Sequence, residues 1–168
     1  MGSLAVIGEG CQIDESVIFT GACWIGNNVS IRPGAIISRG TVIEDWVFIG
    51  PGVITNHTKH VDWGRDARAR QYVTYIGFGS ILGSGTVVVA GCNLGHHSIV
   101  GAGSVVTKDL EGEGLYLGNP ARFMRELKPE EYVNKPHENA MYRKGEIYRY
   151  LKSHMPNLAS WNGTDNPS

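Results

Sequence analysis

An all-β chain wound as a parallel β-helix is the fold class that the sequence predicts, on three observations. Apolar residues recur at every sixth position through Ile7, Ile13, Phe19, Ile25, Ile31, Ile37, Ile43 and Ile49. The same spacing resumes at Ile76, Leu82, Val88, Leu94, Val100 and Val106. Four places after these anchors stand residues that are mostly small, among them Cys11, Cys23, Ala35, Ser80, Thr86, Cys92 and Ser98. A period of six fits neither the 3.6-residue helix nor a hairpin that alternates every second residue. It is a signature of flat strands stacked coil upon coil. Large anchors fill the interior with small partners beside them. Glycines directly after the anchors, as in IGNN, IGPG, IGFG, LGSG and VGAG, supply backbone freedom at a recurrent corner. Fourteen hexads span 84 of the 168 residues, so neighbouring coils bury a continuous core that no single repeat could bury.

The repeat breaks once. Ile49 and Ile76 stand 27 positions apart, which is not a multiple of six, so a loop is inserted over about residues 55–75. This loop holds the closely spaced His57 and His60 of TNHTKH and the arginines Arg65, Arg68 and Arg70. All three cysteines take the small-residue place of a hexad, and an odd number gives no disulfide framework, so they read as core filler. The hexads end near Gly112, and GEGLYLGNPARFMREL reads as a closing turn and a short strand. Pro129 followed by Glu130 and Glu131 has the composition of a helix start. ENAMYRKGEIYRYLKSHM then carries spaced apolar residues among charges, up to a stop at Pro156. The predicted organisation is a β-helix domain over residues 1–126 and a mainly helical extension over 127–168 with a frayed end.

Lys and Arg number 15 against 16 Asp and Glu, a balance that offers no global field to nucleic acid or to an anionic membrane. Any anion must be caught locally. No basic-then-apolar leader and no long apolar run is visible, so a cytoplasmic protein without a membrane span is expected.

Four segments, VFIGPGVIT, IGFGSILGSGTVV, VGAGSVVTKDL and GNPARFMREL, together resemble the hexapeptide-repeat acyltransferases over roughly residues 7–127. The resemblance is strongest to the sugar O-acetyltransferases of galactoside and maltose type and to those of surface-polysaccharide biosynthesis. It implies a left-handed coil, a homotrimer with active sites between subunits, acetyl-CoA as co-substrate and no metal. It also implies a general-base histidine on the loop that interrupts the coils. His57 occupies the matching position, its spacing ahead of Ser84 fits the same pattern, and His60 is the backup. A sugar hydroxyl is a weak nucleophile at neutral pH, and a positioned imidazole removes its proton as the oxygen attacks a thioester.

In the acceptor site, Asn56 would position the base or the sugar, and Trp63 would offer an apolar face to the ring. Arg65, Arg68 and Arg70 suit a phosphorylated or nucleotide-linked sugar as well as a merely solvated loop. The resemblance lays the coenzyme along the outside of the later coils at Ser84, Ala102, Thr107, Lys108, Arg122 and Arg125, the basic side chains meeting its phosphates.

The expected reaction is acetyl transfer from acetyl-CoA to the hydroxyl of a saccharide or nucleotide sugar by direct attack. N-acetylation of a nucleotide-linked amino sugar is the alternative. LGHHSI keeps another class open, a zinc-dependent γ-carbonic-anhydrase-like trimer in which His96 and His97 join His57 and His60, imidazoles from neighbouring chains completing an open zinc site. A non-catalytic trimeric scaffold using its tail as an interaction module is a further alternative. Galactoside and maltose acetyltransferases carry an N-terminal helical segment, whereas this chain begins its coils almost at once, which leaves the acceptor open.

Overall fold

Anchors spaced by six can all point inward only if the chain turns a corner after each strand, and three strands then complete one coil. The structure, a computed structural model, describes residues 4–66, 69–137 and 144–161. The first face stacks β1 (Ala5–Ile7), β4 (Cys23–Ile25), β7 (Thr41–Ile43), β10 (Thr74–Ile76) and β13 (Asn93–Leu94). The second face stacks β2 (Gln12–Ile13), β5 (Ser30–Ile31), β8 (Phe48–Ile49), β11 (Ile81–Leu82), β14 (Ser98–Val100) and β16 (Gly114–Leu117), and ends on β17 (Arg122–Glu126). The third face stacks β3 (Ile18–Phe19), β6 (Ile36–Ile37), β9 (Ile54–Thr55), β12 (Val87–Val88) and β15 (Val105–Val106). Within each face the coil strands pair in parallel, β17 excepted, for instance Ile7 with Ile25 and Ile25 with Ile43, a step of three hexads each time. The parallel β-helix read from the sequence is therefore the observed fold.

The core is the column of anchors. Ile25, Ile31, Ile37, Ile43, Ile49, Ile76, Leu82 and Leu94 are all fully buried, each contributing about 1.5–3 kcal/mol of transfer free energy. Ile7 and Ile13 remain exposed because the first coil has a neighbour on one side only among the described residues. Cys23 and Cys92 are buried, and Cys11 is half-buried. Burial pushes the Cys23 thiol up to about 12 and that of Cys92 up to about 11, which suits inert filler rather than a nucleophile.

The glycine after the anchor serves a different purpose from the one expected. A Cβ on Gly50 would lie 2.7 Å from the Leu82 carbonyl oxygen and 2.8 Å from the Ser84 nitrogen, so this place is kept bare to let coils approach. The left-handed backbone falls two residues later, at Gly52 with φ +66°, and non-glycine residues such as Asn28, Trp46 and His97 also adopt it there.

The inserted loop begins later than the apolar pattern suggests. Thr55 takes an anchor place in β9, fully buried, and its hydroxyl lies 2.8 Å from that of Thr41 and accepts the Ser38 amide at 2.9 Å. On the first face Thr41 pairs with Thr74, a longer step than the three hexads that separate Ile25 from Ile43, so the inserted chain lies between β7 and β10.

Beyond the coils, β17 turns back antiparallel on β16, so the closing strand is a hairpin rather than a further coil. The helix start read at Pro129 is a single 3₁₀ turn over Pro129–Glu131, and the chain then continues without helix or strand through residue 137. The helix itself, α1, spans Lys144–His154; the earlier part of its predicted span and the NGT segment lie outside the described residues. Ile147, Tyr148 and Leu151, three and four apart, cover one stripe of α1. With Met155, Leu158 and Trp161 they form a second apolar cluster against Ala22, Val42, Val73 and Tyr75 on the outside of the first face. The extension is thus bound to the coils by a core of its own.

The anchor column predicts the cost of opening it. Ile49→Ala is expected to lose about 2–5 kcal/mol, read as a lowered urea midpoint, whereas Ile18→Ala on the exposed side of β3 should change stability by about 0.5 kcal/mol.

Candidate functional site

The three corners of the prism carry different chemistry, and strand register decides which residues share a corner. Thr55, Val88 and Val106 are aligned on the third face, so two places further on His57, Ala90 and Lys108 form one column at the corner leading to the first face. Strands lie about 4.7–4.9 Å apart, which puts Lys108 two coils, or about 10 Å, along the axis from His57.

The stem of the loop is firmly held. The Asn56 amide donates to the Val88 carbonyl at 3.0 Å, and the Thr74 hydroxyl donates to the Asn56 carbonyl at 3.0 Å. The Tyr72 amide donates to the His57 carbonyl at 2.8 Å, and Thr58 bridges Gln71 in antiparallel fashion. The returning strand is clasped in turn by the extension, since Ala159 donates to the Gln71 carbonyl at 2.8 Å and Gln71 to that of Asn157 at 3.2 Å. His57 therefore stands at a rigid stem, while the tip is solvated.

His60 and Arg65 are exposed, and Trp63 is 86% exposed. Arg65 donates to the Trp63 carbonyl at 2.8 Å. Arg70 is exposed near the end of the loop. Arg68 lies outside the described residues.

Burial first, and then the nearby Arg39 charge, push the His57 imidazole below its ordinary value of 6.5. Arg39 is itself held by Thr20, donating its amide to the hydroxyl at 3.0 Å and its guanidinium to the carbonyl at 3.1 Å. A neutral imidazole is the form that can accept a proton.

Lys108 and Arg122 line a cavity of about 420 Å³ at the end of the solenoid, together with Asp109, Glu111, Tyr116 and Phe123. Asp109 is occupied, accepting from the Asn93 backbone amide at 2.8 Å and from its side-chain nitrogen at 3.3 Å. Thr107 is exposed beside Lys108. Arg125 makes a two-pronged ion pair with Glu131, both contacts at 2.8 Å, and holds that carboxyl down at about 2. Its charge is thereby already matched. Ser84 and Ala102 lie on another column, between the second and third faces, where the Gly103 amide donates to the Ser84 carbonyl at 2.9 Å. The residues expected along the coenzyme thus divide between two corners of the chain.

The third corner, between the first and second faces, holds a cluster that includes His96. Ile43, Ile76 and Leu94 are aligned there, so Glu44 sits two coils from His96 with Gly77 between them. Glu44 is 1% exposed. Its Oε2 accepts the Phe78 amide at 2.9 Å and lies 3.1 Å from His96 Nε2 and 3.2 Å from His137 Nε2. The Tyr75 hydroxyl is 3.1 Å from His96 Nε2.

Burial alone would raise the Glu44 carboxyl. The hydrogen bonds from His96, Tyr75 and the Phe78 amide, with the His96 charge, bring it below the ordinary carboxylate value instead. The grouping of His96 and His97 with His57 and His60 does not occur within the chain, because the two pairs occupy different corners. Glu44 and His137 had no visible signal in the sequence: both stand far along the chain from His96, in other segments, and no motif spans such distances.

Comparison with known proteins accords with this architecture. The family described as bacterial transferase hexapeptide (six repeats) matches residues 4–39 and 22–57. Galactoside O-acetyltransferase of Lactococcus lactis is 30% identical over 142 residues, covering 78% of this chain and 67% of that protein. Bifunctional protein GlmU of Alkalilimnicola ehrlichii is 30% identical over 141 residues, covering 69% of this chain; the chain spans only 30% of that protein's length. Among solved structures, a histidine-to-alanine mutant of GDP-perosamine N-acetyl transferase from Caulobacter crescentus, in complex with CoA and GDP-perosamine, superposes with a TM-score of 0.62. It is 26% identical, over 74% of this chain and 52% of that one. The chain belongs to the hexapeptide-repeat transferases.

The depressed His57 pKa makes a direct prediction. The folded chain resists protonation at His57, so the histidine contributes stability that is whole above pH 6.5 and is lost as pH falls through the lower folded value. Imidazole NMR should show His57 titrating below 6.5. Arg39→Ala should bring the midpoint part of the way back, because burial is the larger cause.

Proposed function

We propose that the protein transfers an acetyl group from acetyl-CoA to a sugar hydroxyl, with His57 as general base. The observation that carries this reading is a neutral-leaning histidine at a rigid loop stem, on the same corner column as Lys108, which with Arg122 lines a cavity at the end of the solenoid. Similarity to a galactoside O-acetyltransferase and to an enzyme solved with CoA and a nucleotide sugar supports the donor and the acceptor class.

In the proposed mechanism His57 accepts the hydroxyl proton while the sugar oxygen attacks the thioester carbonyl. The tetrahedral intermediate collapses, its carbon–sulfur bond breaks, and the leaving thiolate takes the proton back from His57. No acyl-enzyme forms. Such a base contributes about 10²–10⁴-fold.

Lys108 and Arg122 would meet the coenzyme phosphates, with Thr107 beside them and the pantetheine arm passing Ser84 and Ala102. Because Ser84 and Ala102 lie on a different corner from His57, the reading includes a homotrimer whose sites form between subunits. Asn56 and Trp63 would receive the sugar, the exposed Trp63 ring being free to stack on it. The likeness to an N-acetyl transferase acting on a GDP-linked amino sugar supports a second reading in which the acceptor is an amine. An amine with a free lone pair depends less on a base.

Release of coenzyme thiol from acetyl-CoA, measured across sugars, nucleotide sugars and amino sugars, tests the reading. For one acceptor, His57→Ala should lower kcat by about 10²–10⁴-fold while leaving coenzyme Kd unchanged; an unchanged kcat would remove His57 from the role. Lys108→Ala and Arg122→Ala should each weaken coenzyme binding by about 10–100-fold, and unaltered affinity would move the phosphates elsewhere.

A further inference from the structure

The corner between the first and second faces holds a group that the proposed acetyl transfer does not use. Glu44 Oε2, His96 Nε2 and His137 Nε2 converge so that their ligand atoms all lie within 4.8 Å of one another. The carboxylate oxygen is 3.1 Å from one nitrogen and 3.2 Å from the other. Zinc bonds of about 2.0–2.1 Å at tetrahedral angles would separate ligand atoms by about 3.3 Å, close to both spacings.

A glycine lets His96 reach Glu44. Gly77 lies between the coils of Glu44 and His96, and a Cβ there would stand 2.7 Å from His96 Cδ2. The Glu44 carboxylate is almost wholly buried, and its Oε1 is buried without a hydrogen-bond partner. Such an orphan oxygen is costly unless something else compensates it. Groups that would orient the ligands are in place, namely the Phe78 amide on the carboxylate and the Phe78 ring stacked on His137 with centroids 4.0 Å apart at 25°, whereas the Tyr75 hydroxyl, 3.1 Å from His96 Nε2, would give way to the ion. Orienting partners of this kind tune a metal site.

We propose that Glu44, His96 and His137 bind a divalent transition ion of the zinc class, which clips the 132–137 segment of the extension onto the corner of the solenoid. Two imidazoles and one carboxylate suit zinc and leave its fourth position to water. His97 has a different part. Its Nδ1 receives the Val133 amide at 3.5 Å, and its ring lies 5.0 Å from that of Tyr132, so it guides the same segment without joining the ligands. The site differs from the zinc arrangement considered from the sequence, since it draws on neither His57 nor His60 and is complete within one chain.

The test is metal binding by the whole protein after chelator treatment. Zinc titration by calorimetry, repeated with cobalt(II) and its visible absorption, should give one tightly held ion per chain in the wild type and in His57→Ala. His137→Ala and Glu44→Gln should weaken binding by at least about 100-fold, and zinc should raise the wild-type Tm but not that of His137→Ala. Glu44 is buried and its variant risks misfolding; His137→Ala, at a half-buried position outside any helix or strand, keeps the test decisive when far-UV circular dichroism matches the wild type. Substoichiometric binding by the wild type, or undiminished binding by a folded His137→Ala, would overturn the site and identify the cluster as a hydrogen-bonded latch alone.

Discussion

Each coil buries its anchors only against the coils on either side, and every other feature of the molecule depends on that mutual burial. Ile25, Ile43 and Ile76 form one continuous row along the first face because their strands are in register. A shift of a single residue would turn the row outward. The register therefore admits insertions only between strands, at corners. The extra chain between β7 and β10 is accommodated in this way: the coil reopens after β9 and rejoins the first face without disturbing the row. Stacking also accounts for the bare Gly50 and Gly77, where neighbouring coils or side chains pass too close for a Cβ.

A prism of this kind offers three long corners, and the chain uses them unequally. One gathers His57 and Lys108, another holds Ser84 and Ala102, and the third holds Glu44 and His96. The extension ties two of these together. At its far end Asn157 and Ala159 clasp Gln71 on the returning side of the inserted loop, and near its start His137 reaches Glu44. Between these points α1 lies on the outside of the first face through Ile147 and Leu151. The helical tail thus braces the stem on which His57 stands, linking C-terminal packing to the geometry of the candidate base.

Much of this was legible in the sequence because a period of six is a property of the chain itself. The anchors, the single break, the cysteines as filler and the helix ahead of Pro156 could all be read directly. The reading failed where polarity masked a structural role. Thr55 continues the anchor register, but its hydroxyl is satisfied by Thr41 and Ser38, and only the folded network reveals that. Pro129 and its two glutamates read as a helix start, and Glu131 does accept the Lys128 amide as a capping glutamate would, but it also pairs with Arg125 and the chain makes only a single turn there.

The sequence by itself determined the stacking, because burying one apolar residue in every six leaves the backbone few other solutions. It also marked the place of the break and the histidine beside it. Tertiary structure alone decided which polar residues meet. His57 and Lys108 share a column only after the register across the loop is set, and Glu44, His96 and His137 converge only because Gly77 leaves room and the extension returns to the corner. Contacts between residues dozens of positions apart leave no periodic trace, since their proximity is created by the folding of everything between them.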